Sequence, residues 1–378
     1  MCTRSANRQL SVEPCKRKVG IFVSRESSIQ DIDDIEVQKV GERVERLLID
    51  ALEKAEELWA STGITTVKLS ELLYRNILKV GLLHLLALYG LLYIPYMKWE
   101  TAAWSFFYLS VSGLSVTAGA HRLWCHRSYK ARWPLRAFLM LANCCVAQND
   151  IYDWVRDHRV HHKFSDTDAD PHNITRGLFF SHVGWLFVRK HPEVTRLGSK
   201  VDCSDVAEDP IVAFQIRHYV VLTLLFATLI PTCLPVYCWD ESIWVAFYIC
   251  TIIRLVIQLN VTWSVNSFAH YFGEKPFDNT IWPTETRFVA FAAAGEGWHN
   301  YHHTFPHDYA CSELGWYLNP TKLFIDFMWL IGMAYDCKQV TQESMDSVKF
   351  RRGDGTRRPA HASCELASKD ASASSHQF

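Results

Sequence analysis

Four windows of the chain carry almost no charge, and they fix what it can fold into. They run from about Ile77 to Met97, Thr101 to Ala120, Tyr219 to Cys238 and Ile243 to Trp263. Each approaches the roughly 20 apolar residues that cross a hydrocarbon core of about 30 Å. A backbone inside a bilayer must satisfy its own hydrogen bonds, so these windows read as transmembrane helices. Only Lys98, Trp99 and Glu100 separate the first two, and a short connection with Asp240 and Glu241 separates the last two. The pattern is therefore an all-α integral membrane protein with four spans in two hairpins. Arg254, inside the fourth window, is expensive in lipid and is expected to face protein or a cavity.

Lysine and arginine set the sidedness. The two hairpin turns hold one lysine between them. By contrast, Lys68 and Arg75 precede the first window, and Arg122, Arg127, Lys130, Arg132, Arg136, Arg156, Arg159 and Lys163 crowd the middle loop. The positive-inside rule puts the N-terminus, the loop from 121 to about 214 and the C-terminal part in the cytosol. Within that loop, Leu135 to Ala147 is apolar but too short to span, and reads as an interfacial or core helix. Residues 38–59 place Val40, Val44, Leu47, Leu48, Ala51, Leu52, Ala55 and Leu58 at helical spacing among charges, as an amphipathic helix does. The chain thus divides into a cytosolic N-terminal region (1–70), a membrane-embedded body (71–337) and a tail (338–378). The tail is poor in large apolar residues and is expected to be disordered.

Composition narrows the function. A net charge of -1 gives no footprint for nucleic acid. The 12 cysteines form no matched pair of CxxC spacings, which suits reduced thiols rather than a secreted disulfide framework. Adjacent Cys144 and Cys145 read as small buried thiols. The first 70 residues are charged and polar, so no cleavable signal peptide is expected there.

The 17 histidines are unevenly placed. His121 and His126 lie in HRLWCH, His158, His161 and His162 in HRVHH, and His299, His302 and His303 in HNYHH. Positions i, i+3 and i+4 of a helix share a face, so each HxxHH triplet is expected to aim three imidazoles at one point. The HxxxxH spacing does not share a face so well. It requires the second span to end or bend near Leu123 to Cys125. His270, seven residues past Trp263, joins the set if the fourth helix continues into the cytosol. Sidedness was assigned from lysine and arginine, yet it places all eight clustered histidines in one compartment beside the membrane.

Eight imidazoles exceed what one ion accepts, which favours two metals. Imidazole suits several metals, but redox chemistry on a hydrocarbon favours iron over zinc. Histidines outside the clusters, such as His84, His182 and His218, read as incidental, and a metal transporter would hold its ligands within the spans. Asp166, Asp168 and Asp170 follow the second cluster, and Glu296 precedes the third. They read as partners that orient imidazoles or form turns rather than as ligands.

The segments HRLWCHRSYKARWPLR, QNDIYDWVRDHRVHHKFSDTDADPHN, GLFFSHVGWLFVRKHP and GEGWHNYHHTFPHDY closely resemble the membrane-bound stearoyl-CoA (Δ9-type acyl-CoA) desaturases of animals. The resemblance runs from about Arg75 to Asp336. It implies a desaturase domain over 71–337 with a four-helix stem and a cytosolic helical cap, in the endoplasmic reticulum membrane with both termini cytosolic. It also implies two iron ions held by His121, His126, His158, His161, His162, His270, His299, His302 and His303, with Asn266 reaching one iron through water.

The acyl-CoA contacts it implies are Asn76, Asn149, Arg156, Asp157, Arg189, Lys190 and Trp263. The cations Arg156, Arg189 and Lys190 suit the phosphates of CoA and equally suit a membrane surface. Ser105 and Leu109 stand where the family closes the tunnel for the acyl tail. Electrons would come from NADH through cytochrome b5 and its reductase, and O2 would be the oxidant. The product would be a cis double bond, Δ9 by default, in a C16 or C18 acyl-CoA. Relatives of Δ10 or Δ11 selectivity keep the same histidine boxes. A di-iron lipid hydroxylase, or a non-catalytic lipid- or metal-binding protein, stays open at this point.

Overall fold

The computed structural model describes residues 69–357, together with the helical residues Arg43, Arg46 and Asp50. The expected amphipathic helix over 38–59 otherwise lies outside the described residues, as does the chain beyond 357. Contacts divide the chain into two compact units, Met1–Ser70 and Glu71–Phe378. The regular elements described in the second are helices and one short β-pairing, and it contains every element below.

Among the described residues, three helices are long and apolar enough to cross a membrane: α1 (Tyr74–Tyr96) and the helices Pro210–Trp239 and Ile243–His270. The second expected span is also helical, as α2 (Trp99–Leu114) continued by a π-wound segment, Ser115–Cys125. It falls short of the other three in apolar character because Ser105, Ser110, Ser112 and Ser115 interrupt it. Three of those serines return their hydroxyls to carbonyls of the same helix, three or four residues back.

Two helices of the connecting region follow. In α3 (Trp133–Asn143), Leu135, Leu139, Met140 and Ala142 are buried, so the stretch read as interfacial or core is a core helix. The helix α4 (Ile151–Phe164) is capped by Asp150, whose carboxylate accepts from the Asp153 N–H, a cap worth about 1 kcal/mol. Its residues Ile151 and Val155 pack with Leu139, Val212 and Ile325 in the largest apolar cluster.

The third span, α5 (Pro210–Trp239), begins earlier than hydropathy suggested. Pro210 occupies its first turn and the Asp209 carboxylate accepts from the Ile211 N–H, which together fix the start. The fourth, α6 (Ile243–His270), continues past Trp263 to His270, as the expectation for His270 required. Its apolar window is 56% buried against 11% for α1, so α6 is the central stave and α1 the peripheral one.

The two hairpin turns sit side by side. The Lys98 ammonium donates to the carbonyls of Trp239 and Asp240, and the Glu241 carboxylate accepts from the Lys98 N–H and the Thr101 hydroxyl. Both turns therefore lie at one end, and the histidines gather at the other. Between them Arg254, 1% exposed, donates to the carbonyls of Cys250, Cys145 and Ala227. As expected, it faces protein.

Beyond the spans lie α7 (His299–Thr304) and α8 (Pro320–Leu330). A two-residue antiparallel pairing joins β1 (Lys130–Ala131) to β2 (Ala334–Tyr335). The tail departs from expectation. Residues 338–357 include a helix, α9 (Gln342–Arg352), on which Met345 is buried against Phe277, Tyr301 and Phe305. Ion pairs compensate for its few apolar side chains: Lys349 meets Glu313 and Arg352 meets Asp278.

Candidate metal centre

The π-winding of residues 115–125 resolves the HxxxxH spacing. Hydrogen bonds from i+5 to i place residue i+5 one turn above residue i. The His126 N–H donates to the His121 carbonyl at 3.0 Å, and the two rings lie 4.7 Å apart, edge to face. The helix does end near Cys125, but winding rather than a bend stacks the pair.

The HxxHH triplets do not aim at one point. At 3.6 residues per turn, residue i+4 lies about 40° from i, whereas i+3 lies about 60° away on the other side. His158 and His162 of α4 therefore face one way and His161 another; His299 and His303 of α7 separate from His302 in the same manner. The two helices exchange their odd members. His121, His126, His158, His162 and His302 form one group, and His161, His270, His299 and His303 form a second. Within each group one ring nitrogen per residue lies within 4.8 Å of the others.

The His302 Nε2 is 2.9 Å from that of His121 and 3.0 Å from that of His162. In the second group, the His299 Nε2 is 3.1 Å from those of both His270 and His303. Carboxylates stand on the opposite edges of three rings. Asp170 Oδ2 is 2.8 Å from His161 Nδ1, Asp166 Oδ1 is 3.2 Å from His270 Nδ1, and Glu296 Oε2 is 2.9 Å from His121 Nδ1. At His161 and His270 the carboxylate accepts the Nδ1 proton and leaves Nε2 as a lone pair directed inward, while Glu296 stands at ion-pair distance from His121. Lone pairs converging at about 3 Å repel unless a cation lies between them. Buried Nε2 atoms of His126 and His158 also lack a hydrogen-bond partner in the protein. This donor set fits a metal centre.

The electrostatics agree. Burial, reinforced by neighbouring imidazoles, holds His126, His158, His162, His299, His302 and His303 below the ordinary imidazole value, so they are unprotonated and ready to coordinate. At His161 burial also lowers, but the Asp170 carboxylate outweighs it and the net shift is upward. Burial would raise Glu296, yet Arg122 and His121 hold it at about 2. Arg122, fully buried, is 2.8 Å from Glu296 Oε1. Asp168, the remaining aspartate of the SDTDADP run, is exposed.

Two cavities meet at the centre. One of about 290 Å³ is lined by Asn149, Asp157, His158, His172, Trp263 and Asn266 among others. A larger one, about 610 Å³ and mostly apolar, reaches from His121 and His299 to Leu109 and Phe106. Both touch Trp154, His158, Thr262 and Asn266, so they adjoin beside the first histidine group.

Of the expected head-group contacts, Asn149, Asp157 and Trp263 line the smaller cavity. The Asn76 amide donates to the carbonyl of its wall residue Leu186. Arg156 and Lys190 both pair with Asp157, while Arg189 is exposed and donates its backbone N–H to Glu71. Leu109 lines the larger cavity. Ser105 does not, because its hydroxyl is directed to the Ile249 carbonyl at 3.4 Å. Sequence reasoning missed Trp154, which stacks on His158 at 4.8 Å; its position four residues earlier on the same helix was the available signal. It also missed Arg122, hidden among the cytosolic cations.

A family model for fatty acid desaturases matches residues 98–321, a span containing all nine grouped histidines. The chain belongs to the fatty acid desaturase family. Among curated relatives, this desaturase is 51% identical to stearoyl-CoA desaturase 5 of Bos taurus over 286 residues, 76% of this chain and 85% of the relative. It is 53% identical to an acyl-CoA desaturase of Cyprinus carpio over 286 residues, 75% and 88% of the two chains. Stearoyl-CoA desaturase of Sus scrofa is 52% identical over 284 residues, 75% and 79%.

Proposed function

We propose that this desaturase is an oxidoreductase that inserts a cis double bond, Δ9 by default, into saturated C16 or C18 fatty acyl-CoA. The observation that carries the proposal is the pair of histidine groups opening onto an apolar cavity, in a chain about half identical to stearoyl-CoA desaturases. We assign two iron ions: one to His121, His126, His158, His162 and His302, the other to His161, His270, His299 and His303. Asn266, which lines both cavities, would reach one of the irons through water. Iron, when bound, supplies the redox capacity to couple O2 reduction to C–H removal, which zinc lacks.

The protein's own part is positioning. An alkyl chain offers no polar handle, so a fixed head group and a shaped cavity must choose the carbon. The smaller cavity suits the thioester and pantetheine, with Asn149, Asp157 and Trp263 at its wall and Asn76 bonded to the wall residue Leu186, and the larger takes the acyl tail toward Leu109. Arg156, Arg189 and Lys190 meet the phosphates of CoA. Lys190 is more than a third exposed, and its pair with Asp157 is worth at most about 1 kcal/mol, so a phosphate can replace that partner at little cost. The carboxylates of Asp166, Asp170 and Glu296 keep their imidazoles oriented and carry no proton to substrate. Two hydrogens leave the chain, and two electrons from cytochrome b5, with two protons, complete the reduction of O2 to two waters. NADH feeds cytochrome b5 through its reductase.

The membrane arrangement we favour has four spans, with α2 and its continuation as the second. Both termini and the histidine end face the cytosol, at the endoplasmic reticulum. Expression in a desaturase-deficient yeast, with double-bond positions read by mass spectrometry, tests the function. Unsaturation at C9 is the expected product. A hydroxylated acyl chain, or no new lipid, overturns the proposal.

A further inference from the structure

The end of the described chain closes over the back of α7, the helix that carries His299, His302 and His303. Met345 and Val348 of α9 pack on Phe277, Tyr301 and Phe305. Lys349, only 7% exposed, pairs with Glu313, and Arg352 pairs with Asp278. Asp278 belongs to a loop held by Asn300 of α7. The Asn300 Oδ1 accepts from the Phe277 and Asp278 N–H groups, and its Nδ2 donates to the carbonyls of Asp278 and Pro283.

Arg357 then crosses the base of the same helix. Its guanidinium is 3.4 Å from Glu285 Oε2, 3.2 Å from Glu313 Oε1 and 3.6 Å from Glu274 Oε2, and lies 5.6 Å over the Trp298 ring. Glu285 is 5% exposed, and its other oxygen accepts the Tyr301 N–H at 2.8 Å. One side chain from the tail thus pairs with the carboxylate that anchors the start of α7.

We propose that residues 341–357 are a positioning strap for the second histidine group, with Arg357 as its anchor. The inference rests on the metal-binding reading of the two groups. At six residues, α7 is too short to hold itself. Its orientation comes from Thr284 and Glu285, whose carbonyl and carboxylate take the His299 and Tyr301 N–H groups, and from the packed back face. Without Arg357 the Glu285 carboxylate loses its counter-charge, turns toward water and takes the Tyr301 amide with it. The two groups do not depend equally on α7. The first takes one of five imidazoles from it, His302; the second takes two of four, His299 and His303. Loosening the strap therefore releases metal from the second group first.

The test measures iron per chain, by elemental analysis of the full-length protein purified in detergent, alongside thermal unfolding. Arg357→Glu should lose about half of its iron, and Arg357→Lys should retain it. A chain ending at Gly355 should behave like Arg357→Glu, and one ending at Ala360 like the parent. If Arg357→Glu fails to fold, the two truncations carry the comparison alone. Full iron in both Arg357→Glu and the Gly355 chain, or equal loss in the two truncations, overturns the strap. A parent protein without iron overturns the metal reading instead, so the two failures are distinguishable.

Discussion

Replacing Asp170 by asparagine should weaken metal binding 10- to 100-fold, and the geometry says why. Asp170 is 3% exposed and uses both oxygens. Its Oδ2 accepts from His161 Nδ1 at 2.8 Å and from the Asp166 N–H at 2.8 Å, while Oδ1 accepts from the His172 N–H at 3.1 Å. An amide of the same shape keeps only one acceptor. With that oxygen toward His161, the new NH2 opposes the His172 N–H, donor against donor; in the flipped orientation it opposes two donors. The better choice still strands one buried donor, about 1–3 kcal/mol, and reduces a charge-assisted bond to a neutral one. Loss of such an orienting carboxylate lowers metal affinity by about 10- to 100-fold, equivalent to about 1.4–2.7 kcal/mol. The assay is iron retained after dialysis against a graded chelator series. Asp170→Asn should release iron at correspondingly lower chelator, whereas Asp168→Asn, which alters an exposed carboxylate away from the imidazoles, should match the parent. Superimposable curves for all three proteins refute the reasoning.

Three further outcomes follow from the same geometry. Leu109→Phe, which fills the larger cavity, should shift products from C18 toward C16 on the order of tenfold, read from the acyl composition of the expressing yeast; an unchanged ratio removes Leu109 from the chain-length wall. Arg254→Leu should lower thermal stability in detergent by about 1–3 kcal/mol, because the buried carbonyls of Cys145 and Ala227 lose their donor across helices. Protons compete with metal for the same lone pairs, and burial holds six of the imidazoles below the ordinary value of about 6.5. Iron should accordingly stay bound as pH falls through 6.5 and leave only at lower pH, whereas release centred at that value contradicts the lowered set.

Hydropathy makes α1, α5 and α6 legible, and the cost of a charge in lipid places Arg254 inward from the sequence alone. The histidine boxes were legible for a related reason: so many imidazoles at helical spacing have few other uses. Their division was not. It depends on α4 and α7 facing each other, a tertiary relation that spacing within one helix does not contain. The apolar character of α2 was overestimated because serines that bond their own helix still interrupt a hydropathy window. The tail misled for the opposite reason, since it is held by Lys349, Arg352 and Arg357 rather than by the apolar mass that marks folded chain. Ser105 and Leu109 lie one turn apart, yet only Leu109 lines the cavity; the carbonyl that turns Ser105 aside belongs to Ile249 on another helix.

The wide winding of residues 115–125 makes the length of the first histidine box a mechanical quantity. The number of peptide units between His121 and His126 is matched to that winding, and Arg122 and Trp124 between them are committed to Glu296 and Asp209. At ordinary pitch the same five steps would turn through about 500° and swing His126 around the axis by about 100° from its place over His121. An engineer who wishes to alter this box must change count and pitch together.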